Sequence, residues 1–570
     1  MLVLLLAVLG VRLVQLQGLD GAAYAQRAEL QRRQARTLPA SRGAIVDRNG
    51  NPLALSVETR TVFADPTEIP PRTALPLAQA LSPLLNVPQS DLLSQLTRTD
   101  TRYAILARGI DPGVAQRTLQ VLRANGLTGI GTQIQSRRFY PGGGLAATLL
   151  GFPPTVQTTG PATGGAGLEL SANRLLAGRD GKVTAEFGAG GREIPAGEHA
   201  GQAPVPGSTV QLTLDRDIQW AAQEAIAAQV KAVKAKGGTA IVQDIRTGEL
   251  LAVATAPTFD PNAPVRPAMA VSGNPAVAET YEPGSVNKVI TVAGALQDRR
   301  VTPDTPFRVP WELHVGDRTF HDAEVHRVER LTTAGVLAKS SNVGTIQIGE
   351  RLGKNRLYDF LRAFGFGADT GVGIPGESRG ILPPPQQWSG SQEHTIAFGQ
   401  GIGVTALQMA SVYATVANGG IRVAPTLIKA TVSADGKATP RAQPAPRRVI
   451  DAGVALQVRD MLEAVTSDEG TAPAARIAGY RVAGKTGTAQ IPNPRCHCYR
   501  GGGYTASFVG FAPADNPRLL VSVVLQRPVN GHFGGHLAAP VFHRIMSFAL
   551  KSEAIAPTGT APPTVRLLAP

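Results

Sequence analysis

Cysteine and charged residues are scarce in this chain of 570 residues. Two cysteines are too few for a scaffold held together by disulfides. Charged residues make up 17% of the chain against 43% hydrophobic residues, a balance that excludes an extensive disordered acidic chain and allows folded cores. Glycine and proline are frequent but show no G-X-Y period, which excludes collagen. The length favours more than one domain, because single cores rarely grow past about 250–300 residues.

Acidic residues are outnumbered, 42 against 56 basic ones, which gives a net charge of +14. Such an excess invites an interpretation as a nucleic-acid-binding protein. However, 45 of the basic residues are Arg and 11 are Lys, they are scattered along the chain, and no zinc-finger or RNA-recognition motif accompanies them. We therefore attribute the charge to biased composition and expect no nucleic-acid partner. Attraction to an anionic membrane or wall polymer is the secondary interpretation.

A hydrophobic run of full membrane-spanning length is also missing. Residues 1–9 are almost wholly apolar, but Arg12 interrupts the run, and a spanning helix needs roughly 20 mostly apolar residues. A cleaved signal peptide with Ala23-Tyr24-Ala25 as its site, a buried core helix and a single membrane anchor with a snorkelling Arg12 are the three interpretations. No Lys or Arg precedes the run. We expect an anchor over residues 1–17 that lacks a short basic cytoplasmic tail.

Turn and boundary signals divide the chain into four parts. Asn49-Gly50 lies between apolar, strand-like pieces and predicts a β-hairpin. The Gly/Pro/Ala-rich stretch 188–207 predicts a domain boundary, because a new alternation of strands and helices begins at Thr209. The C-terminus is rich in Pro, Ala and Thr, which predicts a disordered tail. The expected parts are an anchor, an N-terminal domain, a second domain and a tail, over residues 1–17, 18–207, 208–552 and 553–570.

A serine and a lysine three residues apart form the first motif that carries chemistry. In Tyr281-Glu-Pro-Gly-Ser285-Val-Asn-Lys288 the Pro-Gly pair stops the incoming chain and an apolar helix follows, so Ser285 is predicted at a helix N-terminus. Residues three apart share a helix face, so the Lys288 amine can reach the Ser285 hydroxyl. A serine hydroxyl needs an adjacent base to become nucleophilic, and a lysine acts as one only when its pKa is lowered. Backbone N–H groups at the helix start favour an oxyanion.

Two further motifs follow in order. Lys339-Ser340-Ser341-Asn342 offers Ser340 as a hydroxyl relay and Asn342 as an amide. Lys485-Thr486-Gly487-Thr488 is predicted on a strand, where Gly487 leaves space for a substrate backbone. Lys485, Thr486 and Thr488 supply positive charge and hydroxyls for a substrate carboxylate. Each motif alone is weak, but the ordered trio is the set of the penicillin-recognising serine enzymes.

With these motifs, the chain closely resembles the class B penicillin-binding proteins, which are peptidoglycan transpeptidases. The likeness covers nearly the whole length, because Arg42-Gly43, Arg138-Phe-Tyr-Pro141 and Glu169 resemble motifs of the family's N-terminal pedestal. The resemblance implies an α/β (α+β) fold. It comprises a penicillin-binding transpeptidase domain with an antiparallel sheet flanked by helices, and an elongated mixed α/β pedestal.

The resemblance also implies residue roles. Ser285 attacks the penultimate D-Ala carbonyl of a stem pentapeptide and Lys288 takes the serine proton. Ser340 and Asn342 help to pass that proton, and the backbone N–H groups of Ser285 and Thr488 form the oxyanion hole. The terminal carboxylate is held by the third motif, through Lys485, Thr486 and Thr488. An amine of a second stem peptide then resolves the acyl-enzyme, while β-lactams acylate the same serine and stay.

The expected setting follows from the same resemblance. It implies no cofactor, a single-pass position in the cell membrane with the catalytic domain on the extracytoplasmic side, and partners among membrane glycan polymerases and division proteins. Ser341-Asn342-Val343-Gly344 and Phe398-Gly-Gln-Gly-Ile402 look like the division-specific branch. The alternatives are an elongation-type transpeptidase, a serine β-lactamase, and a β-lactam-sensing or scaffolding protein.

The loop after the third motif departs from the family pattern. It contains Cys496-His497-Cys498, and a later loop contains His532 and His536. Cysteine and histidine are good zinc ligands, but ligands only one residue apart differ from the usual zinc spacing. We rank a metal-free loop first, a Cys496–Cys498 disulfide, which would close a small strained ring, second, and a zinc site third.

Overall fold

The computed structural model of the chain describes residues 1–19, 26, 33–124, 126–154, 165–186, 200–263, 273–316, 318–496 and 498–570. The possible cleavage site Ala23-Tyr24-Ala25, most of the boundary stretch 188–207 and His497 lie outside these residues.

Short helices alternate with strands along the described chain, as the frequent glycine and proline residues lead one to expect. The α-helices of the N-terminal part are Leu2–Val14, Pro71–Leu85, Gln89–Leu96, Pro112–Ala124, Ala147–Leu150, Gly167–Ser171 and Asn173–Leu176. Those of the second part are Arg216–Ala232, Pro275–Ala278, Lys288–Gln297, Thr333–Ala338, Asn342–Leu352, Lys354–Phe364, Gln392–Ala397, Ala406–Ala417, Ala452–Ala464, Gly534–Leu537 and Ala539–Ser552.

Strands occur in both parts of the chain. Those of the N-terminal part are Arg33–Leu38 (β1), Ile45–Val46 (β2), Pro52–Ala64 (β3), Ala104–Ile110 (β4), Ile130–Phe139 (β5), Gly181–Glu186 (β6) and Ala200–Gln202 (β7). Those of the second part are Thr209–Leu212 (β8), Gly237–Asp244 (β9), Leu250–Ala256 (β10), Pro306–Val309 (β11), Glu312–Val315 (β12), Arg318–His321 (β13), Glu329–Thr332 (β14), Ile421–Arg422 (β15), Ile428–Val432 (β16), Ala438–Pro440 (β17), Arg447–Arg448 (β18), Ala483–Gln490 (β19), Tyr504–Ala512 (β20) and Leu519–Gln526 (β21).

A buried ion network holds the N-terminal part together. Glu169 has no solvent-exposed side-chain surface, and its two carboxylate oxygens accept hydrogen bonds from Arg42 Nε and Arg138 Nε, each at 2.6 Å. Arg138 Nη1 also donates to the carbonyl of Gly43 at 2.7 Å. A buried carboxylate is tolerated because it is paired and hydrogen-bonded. The three sequence motifs of the expected pedestal therefore meet in one cluster.

The two parts of the chain share a sheet. Strand β2 pairs antiparallel with β3 through the turn at Asn49-Gly50, where Gly50 has a φ of 88°, which confirms the predicted hairpin. Strand β2 also pairs parallel with β8, and β8 pairs antiparallel with β16 of the second part. The expected boundary at residues 207/208 thus lies at the edge of strand β8, inside a seven-stranded sheet that joins both parts.

A five-stranded antiparallel sheet, in the order β10-β9-β21-β20-β19, is the centre of the second part. Helices Arg216–Ala232, Ala539–Ser552 and Ala406–Ala417 pack against it. Buried apolar side chains dominate strands β9, β10, β20 and β21, which matches a sheet covered on both faces. The expected antiparallel sheet flanked by helices is confirmed. Strand β19, at one edge, carries the third motif.

The N-terminal helix Leu2–Val14 exposes most of its apolar side chains. None of the helices in the described part of the chain is long and apolar enough to cross a membrane.

The C-terminal segment differs from its prediction. Residues 553–570 were expected to be disordered because of their composition, but the structure packs them along the second part. Leu567 is buried, Leu568 bridges to Leu331, and the backbone N–H of Thr332 donates to the carbonyl of Leu567 at 3.0 Å. Backbone pairing with an exposed strand edge fixes such a segment even though few of its side chains are apolar.

Candidate active site

The nucleophile candidate lies at the start of a helix, as predicted. Gly284–Asn287 form a single 3₁₀ turn that leads directly into helix Lys288–Gln297, and Ser285 is half-buried on that turn. Gly284 has a φ of 59°, and its N–H donates to the carbonyl of Gly399 at 2.9 Å. A glycine suits this backbone conformation, which most residues avoid. The turn is thereby fixed against the segment that follows Phe398.

Lys288 is fully buried and surrounded by acceptors from the second motif. Its amine donates to the Ser340 carbonyl at 2.5 Å, to Asn342 Oδ1 at 2.7 Å and to Ser340 Oγ at 3.4 Å. Burial lowers the pKa of the Lys288 amine from an ordinary 10.5 to about 7, against the opposing effect of the Asp322 charge. Between the described residues Ser285 and Lys288 no hydrogen bond is formed. The Lys288 amine therefore titrates near neutral pH, and it lies beside the turn that carries Ser285.

Ser340 reaches Lys288 through an unusual backbone conformation. Its φ is 62°, in the left-handed region that residues other than glycine seldom adopt. This conformation ends helix Thr333–Ala338 and lets the chain restart as helix Asn342–Leu352 after Ser341. Strained residues of this kind concentrate at functional sites, where the surrounding structure fixes them.

The third motif lies on strand β19, opposite the nucleophile turn. Lys485 is fully buried and donates to the carbonyl and the hydroxyl of Thr486 at 3.3 and 3.2 Å. Burial, and then repulsion from Lys288, lowers the pKa of the Lys485 amine well below its ordinary value. The three motifs, which span 200 positions of sequence, therefore converge on one site.

The two threonines of the third motif also contact residues outside strand β19. Thr486 and Thr488 share one face of the strand, where Thr486 Oγ1 lies 2.8 Å from Thr471 Oγ1 and Thr488 Oγ1 accepts the Gly534 N–H at 3.2 Å. Thr471 and Gly534 carry no motif in the sequence, and only the fold brings them to β19.

Packing within the protein explains why position 487 is a glycine. A Cβ at this position would lie 2.3 Å from Ser507 Oγ, on the paired strand β20, and 3.1 Å from the Pro283 carbonyl. Packing between β20 and the nucleophile turn thus already requires glycine. Space for a substrate backbone, the reason given by the sequence, stays a prediction.

Asp322 is a site residue that the sequence did not reveal. Its Oδ1 accepts the backbone N–H groups of Asn342 and Val343 at 2.5 and 3.0 Å, and its Oδ2 accepts the Ser341 hydroxyl at 2.7 Å. His326 Nε2 lies 3.1 Å from the same Oδ2. A carboxylate at a helix start accepts hydrogen bonds from the unpaired N–H groups there, and the positive end of the helix dipole stabilises its charge. No local pattern signals this role, because the carboxylate comes from a loop 20 positions before Asn342.

The two cysteines of the loop after β19 are joined. Cys496 and Cys498 form a disulfide, the second-ranked interpretation, so neither is a thiolate ligand. His532 stacks on Tyr504 with ring centroids 4.6 Å apart. Across the described ranges, no group of three or more His, Cys, Asp and Glu side chains is arranged to hold a metal ion.

Asp322→Asn is expected to slow acylation by a penicillin about tenfold or more. The change removes a charge and one acceptor, and hydrogen bonds to charged groups contribute roughly 1.5–3 kcal/mol. Because the Asp322 charge raises the pKa of Lys288, its loss also moves the rising limb of the pH–rate profile to lower pH. Stopped-flow acylation between pH 5 and 9 measures both effects.

Glu324→Gln is the matched control, since Glu324 is an exposed carboxylate two residues along the same loop. It should leave the rate and the profile unchanged. An unaltered rate and pH profile in Asp322→Asn would contradict the positioning role of Asp322.

Comparison with known proteins agrees with this geometry. Residues 238–547 match the sequence model of the penicillin binding protein transpeptidase domain, and residues 37–212 match that of the penicillin-binding protein dimerisation domain. Penicillin-binding protein PbpB of Mycolicibacterium smegmatis is 38% identical over 580 residues, covering 96% of this chain and 88% of the relative. Peptidoglycan D,D-transpeptidase FtsI of Escherichia coli K12 is 31% identical, covering 98% and 91%.

A solved structure shares the whole architecture. The crystal structure of penicillin-binding protein 3 from Mycobacterium tuberculosis, complexed with ampicillin, aligns with a TM-score of 0.72 at 36% identity, covering 94% of this chain and 100% of that one. With the three motifs converging on one site and both halves matched, this chain belongs to the family of penicillin-binding proteins that carry a dimerisation domain before a transpeptidase domain.

Proposed function

We propose that this chain is a peptidoglycan D,D-transpeptidase that cross-links stem peptides through an acyl-enzyme on Ser285. The observation that carries the proposal is the buried Lys288 amine, held by Ser340 and Asn342 beside the turn that presents Ser285. A lysine with a pKa near 7 is substantially neutral at physiological pH, and only the neutral amine accepts a proton.

Acylation follows from these positions. Ser285 Oγ forms a bond to the penultimate D-Ala carbonyl carbon while its proton passes to Lys288 Nζ. The carbonyl oxygen becomes an oxyanion, which the backbone N–H groups of Ser285 and Thr488 stabilise. The C–N bond to the terminal D-Ala then breaks, and its nitrogen receives the proton from Lys288, along the hydrogen-bonded path through Ser340. D-Ala leaves, and the shortened stem peptide stays on Ser285.

Lys485 links substrate binding to this proton transfer. The amines of Lys288 and Lys485 are both buried and close to each other, so a state in which both are positively charged is unfavourable. The carboxylate of the terminal D-Ala stabilises the charged form of Lys485 and accepts hydrogen bonds from Thr486 and Thr488. The charge on Lys485 in turn repels a proton on Lys288, so a bound donor peptide favours the neutral base.

An amine of a second stem peptide completes the reaction. Its nitrogen attacks the ester carbonyl and loses a proton to Lys288, the bond between the carbonyl carbon and Ser285 Oγ breaks, and the serine oxygen takes that proton from Lys288. β-Lactams present a strained amide to the same Ser285 and leave an ester whose leaving group remains attached. The ampicillin complex of the Mycobacterium tuberculosis relative supports β-lactam binding by this chain.

Ser285→Ala is expected to abolish covalent labelling by a fluorescent penicillin, because it removes the only atom that forms the ester. Gel fluorescence and intact mass measure the labelling. The control is Ser171→Ala, an exposed serine of the N-terminal part, which should label as the wild type does. Retained labelling of Ser285→Ala, with the protein folded as judged by circular dichroism, would sink the assignment.

A serine β-lactamase is the enzymatic alternative, since it shares the motif trio. It requires fast release of the acylated penicillin, whereas slow release supports a transpeptidase. The N-terminal domain with its buried Glu169 network, and its match to a dimerisation domain, favour the transpeptidase. The intact Ser285–Lys288 pair also argues against a purely sensing or scaffolding protein.

For the cellular setting, we propose attachment to the cell membrane through residues 1–17, with the catalytic domain outside the cytoplasm and membrane glycan polymerases and division proteins as partners. The exposed apolar side chains of Leu2–Val14 support attachment. The Cys496–Cys498 disulfide supports an oxidising compartment. The likeness of residues 341–344 and 398–402 to the division-specific branch supports a septal role, with elongation as the alternative.

Depletion of the protein in its host should give filamentous cells, and cell fractionation should recover it with the membranes. Rounded cells would instead indicate the elongation role. Recovery of the protein from the soluble fraction would contradict the attachment.

A further inference from the structure

Glu282, three residues before Ser285, connects three segments that border the site. Its Oε1 accepts the Gly401 N–H at 2.9 Å, and the Tyr499 hydroxyl lies 3.1 and 3.0 Å from its two oxygens. Burial is the largest effect on the Glu282 pKa and raises it, and the two donors oppose that effect by binding the carboxylate. The proposed chemistry gives Glu282 and Tyr499 no part.

Tyr499 belongs to the loop that contains the disulfide. The loop over residues 491–503 joins β19 to β20, and Tyr499 directly follows Cys498. Within the loop, the Asn493 N–H donates to the Cys498 carbonyl at 2.7 Å, and Asn493 Nδ2 donates to the Arg500 carbonyl at 2.9 Å. The Ile491 N–H donates to the Gly503 carbonyl at 2.9 Å and closes the base of the loop. These bonds fix the backbone from which Tyr499 extends.

Gly401, the other partner of Glu282, belongs to segment 399–404, which already contacts the nucleophile turn and the residues before it. Tyr281 and Val404 form an antiparallel bridge, and the Gly284 N–H donates to the Gly399 carbonyl. Residues 281–284 are therefore held by segment 399–404 on one side. The Tyr499 hydroxyl adds a contact to Glu282 from the loop that follows the third-motif strand.

We propose that Tyr499 and Glu282 are positioning residues that make the disulfide-containing loop a support for the nucleophile turn. The Glu282 carboxylate then reinforces the direct packing between the turn that carries Ser285 and strand β19, which carries Lys485 and Thr488. Holding reacting groups at a fixed separation lowers the activation barrier without adding a contact to the substrate. The disulfide contributes by restricting the residue next to Tyr499.

This inference rests on the proposed function, because its measurement is the acylation of Ser285. Tyr499→Phe removes only the hydroxyl. It should lower the first-order acylation constant about tenfold and leave the dissociation constant of the initial penicillin complex unchanged, since no binding group is lost. Cys496→Ser with Cys498→Ser should lower the same constant severalfold.

The combined variant distinguishes a shared pathway from two separate effects. If the disulfide acts through Tyr499, the triple variant is no slower than Tyr499→Phe alone, because coupled residues are not additive. The matched control is Tyr480→Phe, which loses a hydroxyl hydrogen bond to the carbonyl of Ile555 and should keep the wild-type rate.

Wild-type acylation in Tyr499→Phe would overturn the proposal. A triple variant slowed by the product of the two separate effects would overturn the role of the disulfide. A change confined to the dissociation constant would make Tyr499 a binding residue and contradict positioning. None of these results is confused with failure of the transpeptidase assignment, in which the wild type itself would show no label that depends on Ser285.

Discussion

The arrangement of the site depends on the burial of two lysine amines close to each other. Lys288 and Lys485 are both fully removed from solvent, and neither pairs with a carboxylate within 4 Å in the described structure. A buried ammonium without a counter-ion is costly, so the pKa values fall instead. The carbonyl of Ser340, the amide of Asn342 and the hydroxyl of Thr486 satisfy the donors of the two amines. In the proposed function, nucleophile activation by Lys288 and carboxylate binding by Lys485 both follow from this single constraint.

Much of the remaining fold serves to hold these amines in place. The five-stranded sheet fixes Lys485 at its edge, and the apolar helix after Lys288 anchors the other amine in the core. Asp322 binds the start of helix Asn342–Leu352, and its negative charge moderates the fall in the Lys288 pKa. Farther away, Glu169 forms ion pairs with Arg42 and Arg138 and holds the N-terminal part together. The pairing of β2 with β8 connects that part to the second part of the chain.

The sequence predicted what depends on local patterns. The hairpin at Asn49-Gly50, the helix start at Ser285 and the strand at Lys485 each follow from turn chemistry or alternation, and each is confirmed. Contacts between distant segments were beyond its reach, such as Asp322 at the start of a helix 20 positions later. Composition misled at the C-terminus, because the disorder expected of a Pro/Ala/Thr-rich segment ignores a free strand edge to which Leu568 can pair. The three motifs were found because the chemistry needs particular residue types at short spacings, and because their order along the chain resembles that of a known family.

The most direct test of this account is the titration of the Lys288 amine itself. Protein labelled with ¹³C at the lysine ε-carbons, with the Lys288 signal assigned by its loss in Lys288→Arg, reports the protonation of that amine by NMR between pH 5 and 11. The buried site predicts a midpoint near pH 7, so that deprotonation and competence for acylation rise together through neutrality. A midpoint near the ordinary 10.5 would leave the amine charged at neutral pH and contradict its role as the base that activates Ser285.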